Sequence, residues 1–384
     1  MPVGNLKNTL YGLALPVLGR KSGCRRVAGE HESQAAVKKA LVKHHVVGAS
    51  IQCFEKGRLT TQLTAGYASL EGKRPVEADT VFRTASIAKM VSALLVFRLQ
   101  SMGALDVREP VSDFLGYRVS NPHCPDAPLT LGMLLNHTSS IVDSPAYFSS
   151  FTDAVDLRTL LEDPRSYSRS VPGMHFRYSN LAAGMVGCML ESRFGMSLET
   201  LMQKELFSPL GIQATFDITK LPLEKIADSY RVLPREKGFS AAQRMEKAAP
   251  LAEPDPRRHY LLASGNLFLT AEMLARLALV ICGSHPGFID DQCLSLMRTP
   301  TADWPEQDVR MRHSMGLLQL EDPSVYARPL WGHQGFAYGA VNGVFFDAEG
   351  NGFAALNSGA AERRRGHLAC VNEALIGALM PKME

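Results

Sequence analysis

From Glu32 to His45 the apolar residues Ala36, Val37, Ala40 and Leu41 recur at helical spacing on an otherwise charged segment, which predicts an amphipathic helix. Val46 to Phe54 then reads as a strand, Glu55-Lys56-Gly57-Arg58 as a hairpin turn, and Leu59 to Tyr67 as the returning strand. Thr80 to Arg83 is strand-like and leads into Met90 to Phe97, an apolar run with no polar stripe. Beyond it the pattern turns helical, joined by Pro- and Gly-bearing loops: Leu129 to Asn136, Leu181 to Phe194 stopped by Gly195, and Ala271 to Ile281. Between these, Ile218 to Pro256 is charged, proline-bearing and weakly periodic, as expected of a lid or a mobile surface excursion. Strand signals return at Ser314 to Leu320, Ala340 to Phe346 and Gly352 to Asn357, with Asp347 to Asn351 as the turn between the last two. The chain closes on a helix carrying Leu368, Val371, Leu375 and Leu379 on one face.

Strands at both ends with helices between them predict an α+β fold. One antiparallel sheet is covered by N- and C-terminal helices and interrupted by a helical insertion that forms a second lobe. The expected division is an N-terminal extension at 1–30, a discontinuous sheet lobe at 31–85 and 300–384, and a mainly helical lobe at 86–299 that includes the 218–256 segment.

Composition narrows the partners. Hydrophobic residues at 46% and charged residues at 21% describe an ordinary globular chain. A net charge of +3 lacks the concentrated basic face that nucleic acid requires, and Arg363-Arg364-Arg365 is the densest basic run. The seven cysteines are scattered, with no Cys-x-x-Cys pair, and suit buried free thiols in a reducing compartment, hence the cytoplasm. Leu10 to Leu18 resembles a short signal core behind Lys7, and Ser22-Gly23-Cys24 part of a lipoprotein site. Arg20-Lys21 and Arg25-Arg26 after the apolar run, and the lack of a small-x-small cleavage site, argue against export. No run is long enough to span a bilayer.

Ser86-Ile87-Ala88-Lys89 carries the first chemical signal. On a helix, residues three apart share a face, so the serine hydroxyl and the lysine amine point into one space. An amine with a lowered pKa activates a serine nucleophile. Alone, the motif also reads as an N-cap serine followed by a solvated lysine. Tyr178-Ser179-Asn180 offers a phenol that a nearby ammonium makes usable as a base, and an amide that can bind a substrate amide or the lysine. Alone it is a turn with a capping asparagine. His333-Gln334-Gly335 supplies a glycine where a substrate passes along a strand, and the following N–H, that of Phe336, suits an oxyanion donor. A histidine near Trp331 is otherwise a structural residue.

The order and spacing of these three motifs resemble the serine β-lactamase and penicillin-binding protein superfamily, in the branch of class C β-lactamases, D-amino-acid peptidases, esterases and acyltransferases. Asp79 to Ser86, Gly103-Ala104-Leu105-Asp106, Leu134 to Ser139 and Ser208-Pro209-Leu210-Gly211 extend the resemblance over residues 32–380. It implies a β-lactamase/transpeptidase-like fold with the active site in the cleft between the lobes, and no metal or cofactor. Ser86 would be the acylated nucleophile, Lys89 its proton partner, and Tyr178 the general base that later activates water. Asn180 would bind the acyl amide, and the N–H groups of Ser86 and Phe336 the oxyanion.

Two departures qualify the transfer. His333 and Gln334 stand where β-lactamases usually have lysine and a hydroxyl residue, and a neutral histidine is a poor anchor for a substrate carboxylate. Ser140 stands where relatives commonly have glycine, a local backbone adjustment. Ser264-Gly265-Asn266 is a rival second motif, placed closer to His333 than the class A pattern requires. No His-Glu-x-x-His supports zinc, and no Gly-x-Ser-x-Gly elbow supports an α/β hydrolase. The expected activity is hydrolysis of a small-molecule or short-peptide ester or amide through a Ser86 acyl-enzyme. The alternatives are acyl transfer from the same intermediate, or a penicillin-binding or sensing module without turnover.

Overall fold

The computed structural model describes residues 3–303 and 308–381. Helix α1 (Val3–Leu18) anchors itself through Leu15, which is buried with Val232 and Ala361. Then come α2 (Gln34–Lys43), the hairpin β1 (Gly48–Glu55) and β2 (Arg58–Ser69), and α3 (Ile87–Ser101). Helices α4 (Asn180–Phe194) and α5 (Ala271–Ile281) belong to the middle of the chain. Strands β3 (Met311–His313), β4 (Leu318–Leu320), β5 (Leu330–Ala337), β6 (Ala340–Phe346) and β7 (Gly352–Asn357) precede α6 (Cys370–Leu379).

The sheet is antiparallel and, among the described residues, ten-stranded. Its order runs Val27–Ala28, β2, β1, β7, β6, β5, β4, β3, Ala302–Asp303, with Arg74–Pro75 beside β2. The two ends of the chain meet where β7 pairs with β1, Ile51 facing Ala355. Alternation along β7 explains how the sheet is buried on both faces. Phe353 and Ala355 pack with Val37 and Leu41 of α2 and Val371 and Leu375 of α6, whereas Ala354 and Leu356 join the core that includes α3 and α5. Terminal helices on one face were expected from the sequence. Helix α5 lies on the opposite face, although its sequence position groups it with the helical insertion.

From Ile87 to Phe97 helix α3 is buried on every side and almost wholly apolar, and Lys89, 4% exposed, is carried into the interior with it. The chain enters α3 from Phe82–Arg83, which pairs with Phe268–Leu269 in a small sheet completed by Ala214–Thr215. Only that end of the strand-like Thr80 to Arg83 forms a strand.

Three expectations need correction. Ser314 to Leu320 is not one strand: Gly316 takes φ +87° and its N–H donates to the Leu135 carbonyl, making the tight connection between β3 and β4. Leu368 is buried before α6 begins, in a short bridge to Arg364–Arg365, rather than on the helix. The 218–256 segment, expected as a lid or a mobile surface excursion, is folded onto the sheet and is no loose excursion. It holds a hairpin of Ser229–Arg231 and Glu236–Phe239 and a short helix Ala241–Glu246. Ile226 and Tyr230 are buried, and the Tyr230 N–H donates to the Ser358 carbonyl at 2.8 Å, which ties the hairpin to the end of β7. Among the described residues no helix is long and apolar enough to cross a membrane.

Helix α4 reaches the site because Gly184 lets it approach the Tyr260 backbone. A Cβ at Gly184 would lie 1.7 Å from the Tyr260 carbonyl oxygen. Ala is worth about 1 kcal/mol over Gly in an open helix. Here overpacking against backbone outweighs that gain, so Gly184→Ala is expected to destabilise the protein by about 1–3 kcal/mol. A lowered Tm and denaturant midpoint check this; a stabilised variant contradicts the packing.

Candidate active site

Ala85, at φ +53°, turns the chain sharply out of the small sheet and sets Ser86 at the N-cap of α3. The Ser86 side chain makes no capping bond, and Lys89 is buried, so the solvated N-cap alternative does not describe this helix start. Lys89 Nζ lies 3.1 Å from Ser86 Oγ, 2.9 Å from Asn180 Oδ1 and 2.5 Å from the Ser264 carbonyl oxygen. The carbonyl and the amide oxygen only accept. A neutral amine donates both hydrogens to them and presents its lone pair to the Ser86 hydroxyl.

Asp143 fixes the direction of that arrangement. Its carboxylate accepts from Asn180 Nδ2 at 2.8 Å, from Ser179 Oγ at 3.0 Å and from the Leu181 N–H at 2.9 Å. Because Asp143 can only accept, the Asn180 amide must turn its nitrogen to Asp143 and its oxygen to Lys89. Ser179 in turn caps α4 through the Ala182 N–H. The Tyr178 phenol lies against Ser86, its ring 5.2 Å from Lys89 Nζ and 4.3 Å between centroids from the His137 ring.

Burial governs the proton affinities. It pulls the Lys89 amine down to about 7, against the opposing field of Asp143 and with a smaller contribution from Arg83. It pushes the Tyr178 phenol well above its ordinary value, offset in part by the Ser86 hydrogen bond. His137 and His313 are driven well below the usual imidazole range by burial first, then His137 by His313, Lys89 and His333, and His313 by His333, Lys89 and His367. His333 is lowered to about 3, by burial first and then by the Lys89 charge. Its Nδ1 donates to the Gln334 carbonyl at 2.6 Å, leaving a buried Nε2 lone pair without a partner. The wall behind Tyr178 is thus aromatic and uncharged.

Two clefts flank the serine. One of 420 Å³ and one of 370 Å³ both border Ser86, Asn180 and Phe336; Arg83, Arg244 and Tyr338 face the first, and Tyr178, His333 and Arg364 the second.

The family model for Beta-lactamase matches residues 33–369. The chain belongs to the beta-lactamase family. Esterase EstB of Burkholderia gladioli is 26% identical over 327 residues, covering 77% of this chain and 81% of the esterase. Penicillin-binding protein 4 of Amycolatopsis lactamdurans is 28% identical over 177 residues, and the match spans 46% of each protein. Among solved structures, EstCE1, described as a hydrolase with promiscuous acyltransferase activity, superposes with a TM-score of 0.74 at 21% identity, covering 90% of this chain and 97% of that one. The D-amino acid amidase from Ochrobactrum anthropi SV3 gives 0.69 at 22% identity, covering 91% and 98%. The fold is therefore the β-lactamase/transpeptidase-like one, and the protein is a serine hydrolase of this family.

Within this beta-lactamase-family cleft the motif residues Ser86, Lys89, Tyr178 and Asn180 converge. His333 and Phe336 border the second cleft, as neutral side chain and strand residue. Gly335 has a different reason from the one expected. A Cβ there would lie 2.2 Å from the Thr84 carbonyl oxygen, so the glycine lets β5 close on the turn before Ser86, and it borders neither cleft. Ser264 also belongs to the site, through its carbonyl on Lys89, while its hydroxyl donates to the Leu261 carbonyl. Ser140 holds a left-handed φ of +65°, the conformation that favours glycine, with its Oγ accepting from Asn121 at 2.9 Å.

Asp143 lies outside the three motifs legible in the sequence. Asp143 follows the recognised Leu134 to Ser139 segment closely, and that proximity was the available signal. Removing its charge while keeping its shape should lower the Lys89 pKa further, because Asp143 stabilises the ammonium. An amide nitrogen facing Asn180 Nδ2 also costs about 1–3 kcal/mol. Asp143→Asn is therefore expected to shift the acid limb of the pH–kcat/KM profile to lower pH and to lower Tm. An acid limb moving upward contradicts the assignment.

Proposed function

We propose that the protein hydrolyses a carboxylic ester or amide through an acyl-enzyme on Ser86. The observation that carries this reading is the Lys89 amine, held by two obligatory acceptors with its pKa at about 7 and its third contact on Ser86 Oγ. In the first step neutral Lys89 takes the Ser86 proton as Oγ attacks the carbonyl. Lys89 suits this step better than Tyr178, since the phenol is raised and the amine lowered. The Ser86 and Phe336 N–H groups would hold the oxyanion; losing one such donor typically costs about 3 kcal/mol.

Tyr178, beside Ser86 in the second cleft, gives its proton to the departing oxygen or nitrogen. The acyl-enzyme then holds a Lys89 ammonium and a Tyr178 phenolate, each stabilising the other. Water gives a proton to the phenolate as it attacks the acyl carbon, and Lys89 returns its proton to Ser86 Oγ as the acid leaves. Asn180 keeps one amide hydrogen beyond the one given to Asp143, available to an acyl amide. An alcohol or amine in the 370 Å³ cleft would intercept the same intermediate and give acyl transfer.

We further infer a cytoplasmic location, supported by seven cysteines that are all unpaired thiols.

Activated esters or a fluorophosphonate are expected to leave a mass adduct on the wild-type protein that Ser86→Ala abolishes. Tyr178→Phe is expected to lower kcat/KM by about 10²–10⁴-fold for esters with poor leaving groups. An adduct that persists in Ser86→Ala contradicts the reading.

A further inference from the structure

The first cleft holds more positive charge than the proposed chemistry uses. Arg83, Arg231 and Arg244 border it, and no aspartate or glutamate does. Arg231 is neutralised from behind, by Glu236 at 2.9 Å and Glu362 at 3.9 Å. The other two are not: among the described residues neither Arg83 nor Arg244 makes an ion pair. Arg83 donates through Nε and Nη2 to Asn266 Oδ1 at 3.0 and 2.7 Å, and its guanidinium sits 5.2 Å from the Tyr338 ring centroid. Its Nη1 is buried without a hydrogen-bond partner. Arg244 is exposed on the short helix Ala241–Glu246 and bears on Arg83 as a like charge. Two cations sharing one cleft without a counter-ion repel each other and favour an anion between them.

The placement of Tyr178 says which half of the substrate brings that anion. Tyr178 borders the second cleft and not the first. The group that receives its proton, the leaving group, therefore occupies the second cleft, and the acyl group extends into the first.

We propose that the first cleft is an acyl subsite for a carboxylate-bearing acyl group, with Arg83 and Arg244 on the carboxylate and Phe151, Phe239 and Tyr338 against its apolar part. The substrate class is then a monoester or monoamide of a dicarboxylic acid, or an acyl chain with an equivalent distal carboxylate. This inference rests on the acyl-enzyme reading. It also relocates anion recognition: His333 is neutral, and the charge lies on the other side of Ser86. Arg364, stacked 3.8 Å from the Phe336 ring centroid, borders the second cleft and is the rival cation.

The test compares the 4-nitrophenyl monoester of adipic acid with its neutral isostere, in which the distal carboxylate is a primary amide. A third substrate carries the carboxylate on the phenol and a neutral acyl chain. Wild-type protein is expected to prefer the charged acyl ester by about tenfold or more in kcat/KM, a preference that shrinks as salt rises. Arg244→Gln and Arg83→Gln are each expected to reduce the ratio several-fold, and the salt series keeps the test decisive if Arg83→Gln does not fold. Equal rates on the first two esters, or preference for the carboxylated phenol, overturn the subsite while leaving the hydrolase reading intact. Turnover of none of the three overturns that reading and the subsite with it.

Discussion

The site depends on the hydrogen-bond arithmetic of one buried amine. Lys89 has three polar neighbours, two of which can only accept. As a neutral amine it satisfies both and is left with one lone pair, which the geometry gives to Ser86. The elements around it serve this arrangement. Apolar α3 carries the amine out of water and lowers its pKa, α4 brings Asn180, and the turn at Ser264 supplies a carbonyl. Asp143 settles which end of the Asn180 amide faces the lysine.

The surroundings separate two tasks. Behind Tyr178 stand three buried imidazoles that stay neutral, so on that side the phenol meets packing. Among the described residues the counter-charge set against the Lys89 ammonium is Asp143, one residue removed through Asn180. Positive charge is concentrated instead in the first cleft, away from the proton donor. Neutral imidazoles, Tyr178 and a single guanidinium, Arg364, on one side of the serine and three guanidinium groups on the other give the two halves of a substrate different environments.

Much of this was legible in the sequence because the family's chemistry sits in short local motifs. Ser86 with Lys89, Tyr178 with Asn180, and His333 with Phe336 could be read and grouped from their order. The terminal helices and strands Ala340–Phe346 and Gly352–Asn357 showed clear periodicity. What could not be read has physical reasons. The Ser264 carbonyl is backbone and has no sequence letter, so the side chain drew attention instead. The lowered pKa of Lys89 comes from burial by distant segments. Strand β5 was obscured by Gly332 and Gly335, which break the apolar alternation, and the Thr84 contact that explains Gly335 is long-range. The 218–256 segment looked like a lid because its anchors, Ile226 and Tyr230, are isolated apolar residues in a charged stretch.

The central claim is that Lys89 is an uncharged amine for much of its time at neutral pH, and its titration can be observed directly. In protein labelled at lysine Cε with ¹³C, one resonance, assigned by its loss in Lys89→Met, is expected to titrate near pH 7. A Lys89 resonance that stays in its ammonium position up to pH 9 would contradict the account, because the lone pair on which the Ser86 chemistry depends would then be absent.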